Sequence, residues 1–369
     1  MTKECREIFQ LIEEWSPKDL AYDWDNVGLQ LGSPRKKVKK VMVTLDVLES
    51  VVDEAVDKGA DLIIAHHPIL FKPLSEIDME TPKGKAIKKL IQHDISVYAA
   101  HTNLDVASGG VNDLLCEALH IHPEEVLVET GKERLMKVAV YVPKAQLEDI
   151  RKAFHQAGAG HIGDYSHCSF QTDGEGTFKP LEGTNPYIGS ENKLEVVHEV
   201  RVDTIVPEGK VKEVIHNVIE AHPYEEPAYD IYPLENPGKS IGIGRVGHFE
   251  REMSLRELSE KVKHAFGLEK LRVTGDLDAK VKKAAVLGGS GEKYIHAAKV
   301  KGADVYITGD MSFHMAQDAM EMGLSVIDPG HYIESVMKEA MKHYLDKGLN
   351  KENIDIFVSQ VDTDPFQFI

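Results

Sequence analysis

The segment Lys58-Gly59-Ala60-Asp61-Leu62-Ile63-Ile64-Ala65 returns, lightly edited, as Lys301-Gly302-Ala303-Asp304-Val305-Tyr306-Ile307-Thr308. Each copy follows a strand-like run and a helical stretch of nearly the same length. These are Val41–Leu45 with residues 48–58 in the first, and Ala284–Leu287 with a helix from about Glu292 in the second. A second echo lies downstream, where Ile95-Ser96-Val97-Tyr98 is matched by Leu324-Ser325-Val326-Ile327. Strands alternating with helices at this spacing predict βαβ units and a mainly parallel sheet. A repeat of such units predicts two similar α/β halves forming one core. The halves are expected at residues 1–129 and 246–369, with 130–245 inserted between them.

The four apolar residues Leu62–Ala65 read as a strand buried on both faces. The run stops at His66-His67-Pro68. Side chains alternate along a strand, but Pro68 donates no ladder hydrogen bond and lets the backbone turn. Both imidazoles can then reach one crevice at the carboxyl end of the sheet, where open α/β folds place their ligands. Two other strand-like runs end in chemistry: Ile95–Ala100 runs into His101-Thr102-Asn103-Leu104-Asp105, and Leu324–Ile327 leads to His331 and Glu334. Counted from the starts of the second echo, Asp105 and Glu334 fall at the same offset.

The set His66, His67, Asp105, His331 and Glu334 comprises imidazoles and carboxylates without a thiolate. It favours borderline divalent metals, zinc first, with Mn, Fe, Co or Ni also suited. Five protein ligands are too many for one zinc with an open position. The economical arrangement is two ions about 3.5–4 Å apart, with Asp105 and Glu334 shared. His101 and His314 are the next candidates, as orienting groups or as the catalytic acid or base, and a structural role explains each equally well. Asp46 either lines the crevice or caps the following helix. Gly288-Gly289-Ser290-Gly291 either cradles a phosphate or supplies the glycine that a short βα turn needs. The run Trp24-Asp25-Asn26-Val27-Gly28 reads as a turn laid on an aromatic anchor. There is no GxxxxGK[ST] or GxSxG motif and no plausible cysteine nucleophile, which excludes P-loop and serine-elbow chemistry.

The net charge of −18 argues against nucleic acid as the main partner, since a phosphate backbone needs a basic face. Cys5, Cys116 and Cys168 form no CxxC pair, which suits a reducing compartment. The first residues, Met1-Thr2-Lys3-Glu4-Cys5, carry no signal-peptide pattern, and no run approaches a membrane span, so a cytoplasmic protein is expected.

In the insert, Met136–Val142, Tyr165–Thr172, His198–Val206 and Ala228–Tyr232 read as strands, and 146–157 and 209–221 as helices. Residues 173–195 are expected to be an extended loop, and 235–239 a linker. This is the split βαβ order of a ferredoxin-like domain.

Taken together, Trp24-Asp25-Asn26-Val27-Gly28, His66-His67-Pro68, His101–Asp105 and Gly330-His331-Tyr332-Ile333-Glu334 closely resemble the GTP cyclohydrolase I type 2 homolog family, the Nif-three-like dinuclear-metal proteins. The resemblance implies a two-half α/β core, a dinuclear metal site on His66, His67, Asp105, His331 and Glu334, and a ring-like homohexamer. Many members have one more residue between the last histidine and glutamate than the His-x-x-Glu found here. The insert, with His222-Pro223-Tyr224-Glu225-Glu226-Pro227, resembles trimeric proteins of the PII and CutA type. The expected function is metal-dependent hydrolysis of a small phosphate-bearing or nucleotide-like molecule. The alternative is a metal-dependent regulatory or binding protein gated by the insert. GTP ring opening is not supported by the residues themselves.

Overall fold

The repeated Lys-Gly-Ala-Asp segment forms the same clamp twice in the computed structural model, which describes residues 3–349, 354–367 and 369. In each copy the glycine takes a left-handed conformation at a helix end, with φ of 68° at Gly59 and 72° at Gly302. The aspartate then ties down the start of the neighbouring strand. Asp61 Oδ2 accepts from the amides of Lys39 and Lys40 at 2.8 and 3.1 Å. Asp304 Oδ2 accepts from Lys282 and Lys283 at 2.9 and 2.8 Å.

The chain divides into two compact units, Met1–Thr130 with Ile241–Ile369, and Gly131–Ser240. The larger unit has two principal sheets. One runs Asp355–Val358, Lys40–Thr44, Leu62–Ala65, Ser96–Ala99 and Gly28–Leu31, with only the last strand antiparallel. The other runs Arg272–Thr274, Ser325–Asp328, Val305–Gly309, Lys280–Ser290, Ser240–Ser254 and Ile121–Lys132. Its middle three strands are parallel, in the register of the first half: Val41 pairs with Leu62 and Leu62 with Ser96, as Ala284 pairs with Val305 and Val305 with Ser325.

Alternation along these strands feeds two layers at once. Leu62 and Ile64 enter an apolar cluster that also takes Val286, Val305 and Ile307 from the second sheet and Ile8, Leu115 and Met341 from helices. Ile63 and Ala65 point the other way, onto Val51, Val52, Ile87 and Leu90. Tyr306 and Val326 likewise face Ile295 and Ala298. Burial on both faces leaves only the strand ends to carry polar side chains. On the returning strand, buried Arg245 grips Asp113 with two hydrogen bonds at 2.6 and 2.8 Å. Among the described residues no helix is long and apolar enough to cross a membrane.

The smaller unit is a four-stranded antiparallel sheet ordered Tyr229–Leu234, Leu135–Pro143, Glu195–Pro207, Ser169–Phe178. Helices Leu147–Gln156 and Val211–Ala221 bury Ile150, Phe154, Val214 and Val218 against Val138, Val140, Val200 and Val202. The loop expected over 173–195 is shorter, because Asp173–Phe178 continues its strand and pairs as far as Glu195. Gly174 and Gly176 suggested a loop. At 176 the glycine instead admits a neighbour, since a Cβ there would lie 2.2 Å from Glu199 Oε2.

Candidate metal centre

Residue by residue, the strand ends deliver their side chains to one place. Leu62–Ala65 ends as a regular strand, and the amides of His66 and His67 still reach the Thr44 and Leu45 carbonyls, at 3.2 and 2.9 Å, before Pro68 turns the chain. Asp105 comes from a short helix, Thr102–Val106, and Glu334 from a tight 3-10 turn, His331–Val336. Glu334 Oε2 lies 3.7 Å from His66 Nε2, 3.2 Å from His67 Nε2 and 3.1 Å from His331 Nε2. Asp105 Oδ1 lies 3.5 Å from His66 Nε2. Glu334 thus meets all three imidazoles, and Asp105 meets that of His66.

Each imidazole presents its Nε2 because its Nδ1 is held elsewhere. His66 Nδ1 donates to the Ala100 carbonyl at 2.8 Å. His67 Nδ1 pairs with Asp46 at 2.7 Å, His331 Nδ1 with Asp310 at 2.7 Å, and His101 Nδ1 with Asp25 at 2.8 Å. This is the outer ring of acceptors that fixes tautomer and ring orientation in imidazole metal sites. Three groups of ligand atoms gather within 4.8 Å of one another and could hold an ion: His66, Asp105 and Glu334; His67, His331 and Glu334; and His66, His67 and His101.

The electrostatics describe acids and imidazoles crowded together and largely buried. Burial holds the His66 imidazole down to about 3, so it is neutral. Burial would also lower His67 and His331, but their carboxylate partners outweigh it and raise them to about 10 and 9. Burial raises Asp105, reinforced by the charge of Glu334. Burial opposes ionisation of Glu334 too, yet hydrogen bonds from His331 and His67 keep its carboxyl well below the usual range. The test of fit is at the bottom of the site. His66 Nε2 and Asp105 Oδ1 are both buried and have no hydrogen-bond partner among the described residues. Unpaired buried polar atoms cost about 1–3 kcal/mol each, and a bound cation would satisfy both at once.

A cavity of about 780 Å³ opens over these atoms, walled by Trp24, Phe71, Tyr294 and Phe366, with Lys293 beside them. His101 lines it, and His314 does not. His314 is exposed on the helix Phe313–Glu321, with Gln317 at 3.3 Å. The glycine run does something other than a free phosphate loop. Residues 288–290 belong to the strand Lys280–Ser290, and the Gly288 amide already donates to Asn112 at 3.0 Å. A Cβ at Gly289 would lie 2.6 Å from Glu334 Oε1, so glycine gives that carboxylate its room.

The sequence reading treated Asp25 as part of a turn and passed over Asp310 and Thr363. Asp25 has a fully buried side chain that holds His101 and Thr102, and these bonds overcome burial to keep it at about 2. Asp310 adopts φ of 55°, unusual for a non-glycine residue at a strand end. It stands one repeat after His67, so the repeat itself pointed to it. Thr363, near the chain end, hydrogen-bonds Asp46, and no local pattern announces that contact.

Known proteins resemble this chain over nearly its whole length. The profile of the Duf34/NIF3 (NGG1p interacting factor 3) family matches residues 3–365. A Bacillus subtilis protein named GTP cyclohydrolase 1 type 2 homolog is 55% identical over 366 residues, 99% of this chain and 98% of that protein. The crystal structure of a Bacillus cereus protein related to NIF3 superposes with a TM-score of 0.90 at 50% identity, covering 100% of this chain and 99% of that one. A Staphylococcus aureus structure gives 0.72 at 31% identity, with 100% and 99% covered.

Proposed function

We propose, starting from the fact that this chain belongs to the Duf34/NIF3 family, that it uses a pair of divalent metal ions to hydrolyse a small phosphate-bearing molecule. The observation that carries this reading is the pair of orphaned buried atoms, His66 Nε2 and Asp105 Oδ1, beside a carboxylate shared among three imidazoles. His66, Asp105 and Glu334 would hold one ion, and His67, His331 and Glu334 the other, with zinc the first choice and Mn, Fe, Co or Ni compatible. When bound, such a pair supplies Lewis-acid polarisation of a phosphoryl oxygen and acidifies water.

The remaining work falls to this chain's own side chains. Asp25 fixes the His101 tautomer, which leaves an Nε2 lone pair on the cavity side to accept a proton from attacking water. Lys293 offers a positive charge to the phosphate, while Trp24 and Phe71 wall the organic part. Hydrolysis of the ester fits this set better than ring opening of a GTP base, despite the names that relatives carry. In the smaller unit, the strand–helix–strand–strand–helix–strand order supports a ferredoxin-like module of the PII and CutA type. A homohexamer completes the reading. Exposed Leu74, Ile77, Met79 and Ile91 offer apolar surface suited to subunit contact.

The experiment is a screen of protein loaded with Mn, Co or Zn against nucleotides, dinucleotides and phosphomonoesters, with GTP ring opening included. Turnover of a phosphate ester that disappears in His67→Ala is expected. No turnover with any metal, alongside saturable binding of a ligand, would replace this reading with that of a binding protein.

A further inference from the structure

The His222-Pro223-Tyr224-Glu225 segment takes no part in the centre described above, yet it is built into a cavity of its own. Its four residues have separable tasks. His222, almost fully buried, bridges the Tyr141 carbonyl at 3.0 Å and the Tyr224 amide at 3.1 Å, which fixes the turn. Tyr224 then lines the cavity and donates its hydroxyl to Glu199 Oε1 at 2.9 Å. Glu225 accepts from the Asn185 amide at 3.1 Å and so anchors the loop that carries Tyr187. Pro223 removes one amide donor at the turn.

The result is a cavity of about 540 Å³ inside the smaller unit. Three of its walls are aromatic. The ring centroids of Phe178 and Tyr187 lie 5.9 and 6.2 Å from that of Tyr224, tilted by 57° and 49°. Glu199 also lines the cavity, and its carboxylate lies close over Gly176, 2.2 Å from where a Cβ there would stand. Glu199, Glu225 and Glu226 line the cavity with Lys179 as the only basic residue.

We propose that this cavity is a receptor for a small organic cation bearing an alkylated ammonium group. The charge balance of three carboxylates to one lysine repels anions, which removes phosphates and nucleotides from consideration. A bare divalent ion would need several oxygens converging on one point. Among the described residues no group of three ligand atoms gathers here. Two of the carboxylates are also already engaged by Tyr224 and Asn185. A neutral apolar guest would leave the acidic side of the box unmatched. A methylated ammonium satisfies both features, since its weakly hydrated methyl groups pack on ring faces within about 6 Å while its charge faces the carboxylates.

The test is calorimetric titration of the full-length protein with choline and with tetramethylammonium, against matched sodium chloride. The neutral tert-butyl isostere of choline serves as the control. Saturable binding of both cations, with none of the isostere, is expected. Tyr187→Leu, on an exposed loop, and Glu199→Gln should each weaken the affinity roughly tenfold, about 1.4 kcal/mol, while circular dichroism stays that of wild type. The proposal fails if neither cation saturates up to roughly 50 mM, if the isostere binds equally, or if both variants bind choline as wild type does.

Discussion

Asp105 and Glu334 occupy the same position in the two halves of the repeat, yet their environments drive them in opposite directions. Asp105 meets one imidazole at 3.5 Å, and its burial together with the Glu334 charge raises its pKa. Glu334 meets three imidazoles, and hydrogen bonds from two of them hold it ionised. The scaffold beneath is the same, down to the aspartate clamp on two backbone amides. What differs is how each strand ends. The first half places His66 and His67 where the second places Gly309 and Asp310, and a Cβ at Gly309 would strike the backbone of Gly330 and His331 at 2.8 Å. A duplicated framework thus gives an asymmetric site: one half supplies imidazoles from its strand end, and the other clears space and orients His331.

The largest expected effect follows from that asymmetry. Glu334→Gln should remove both metal ions, whereas Asp105→Asn should remove only the one on the His66 side, as measured by metal analysis of dialysed protein. Equal losses in the two variants would break the comparison. A smaller effect is expected one layer out. Asp46→Asn and Asp310→Asn each leave an imidazole without its anionic partner and should weaken metal affinity by about 10–100-fold. If only one of them does so in a chelator competition assay, the two halves do not share this device.

The pH dependence sharpens the same contrast. In metal-free protein, His67 and His331 are raised above the ordinary imidazole value of 6.5, to about 10 and 9. Their contribution to stability is therefore complete below about pH 6.5 and lost as pH rises through 9 and 10. The melting temperature of metal-free protein should fall across that window. With metal bound as proposed, the imidazoles would be neutral ligands, so these two groups should contribute no such fall there. The smallest effect belongs to the clamps. Asp61→Asn and Asp304→Asn should each cost about 1 kcal/mol of stability in denaturant titrations and leave metal content unchanged. A clearly unequal pair of values would show that the repeated framework is not equally used.

Much of this was legible in the sequence, and the reasons are physical. Strands buried on both faces read as continuous apolar runs, so Leu62–Ala65 and Val305–Ile307 announced themselves, and the polar residues that ended them stood out. His66, His67, Asp105, His331 and Glu334 were visible because they interrupt a hydrophobic pattern. The partners behind them carry no such signal. Asp25 reaches His101 across 76 residues and Thr363 reaches Asp46 across 317, contacts that only the fold creates. His314 misled for the opposite reason. It follows the second copy's strand end closely in sequence, but its helix carries it into solvent. Residues 173–178 misled through composition, because glycine was needed there for the approach of Glu199 rather than for a turn.

The central claim is that Glu334 is shared between two ions. It is tested most directly by counting metal per chain in protein purified without chelators, with anomalous diffraction to locate each ion. Two ions per chain, both within bonding distance of Glu334, is the predicted result. A single ion, or two that do not share Glu334, would contradict it.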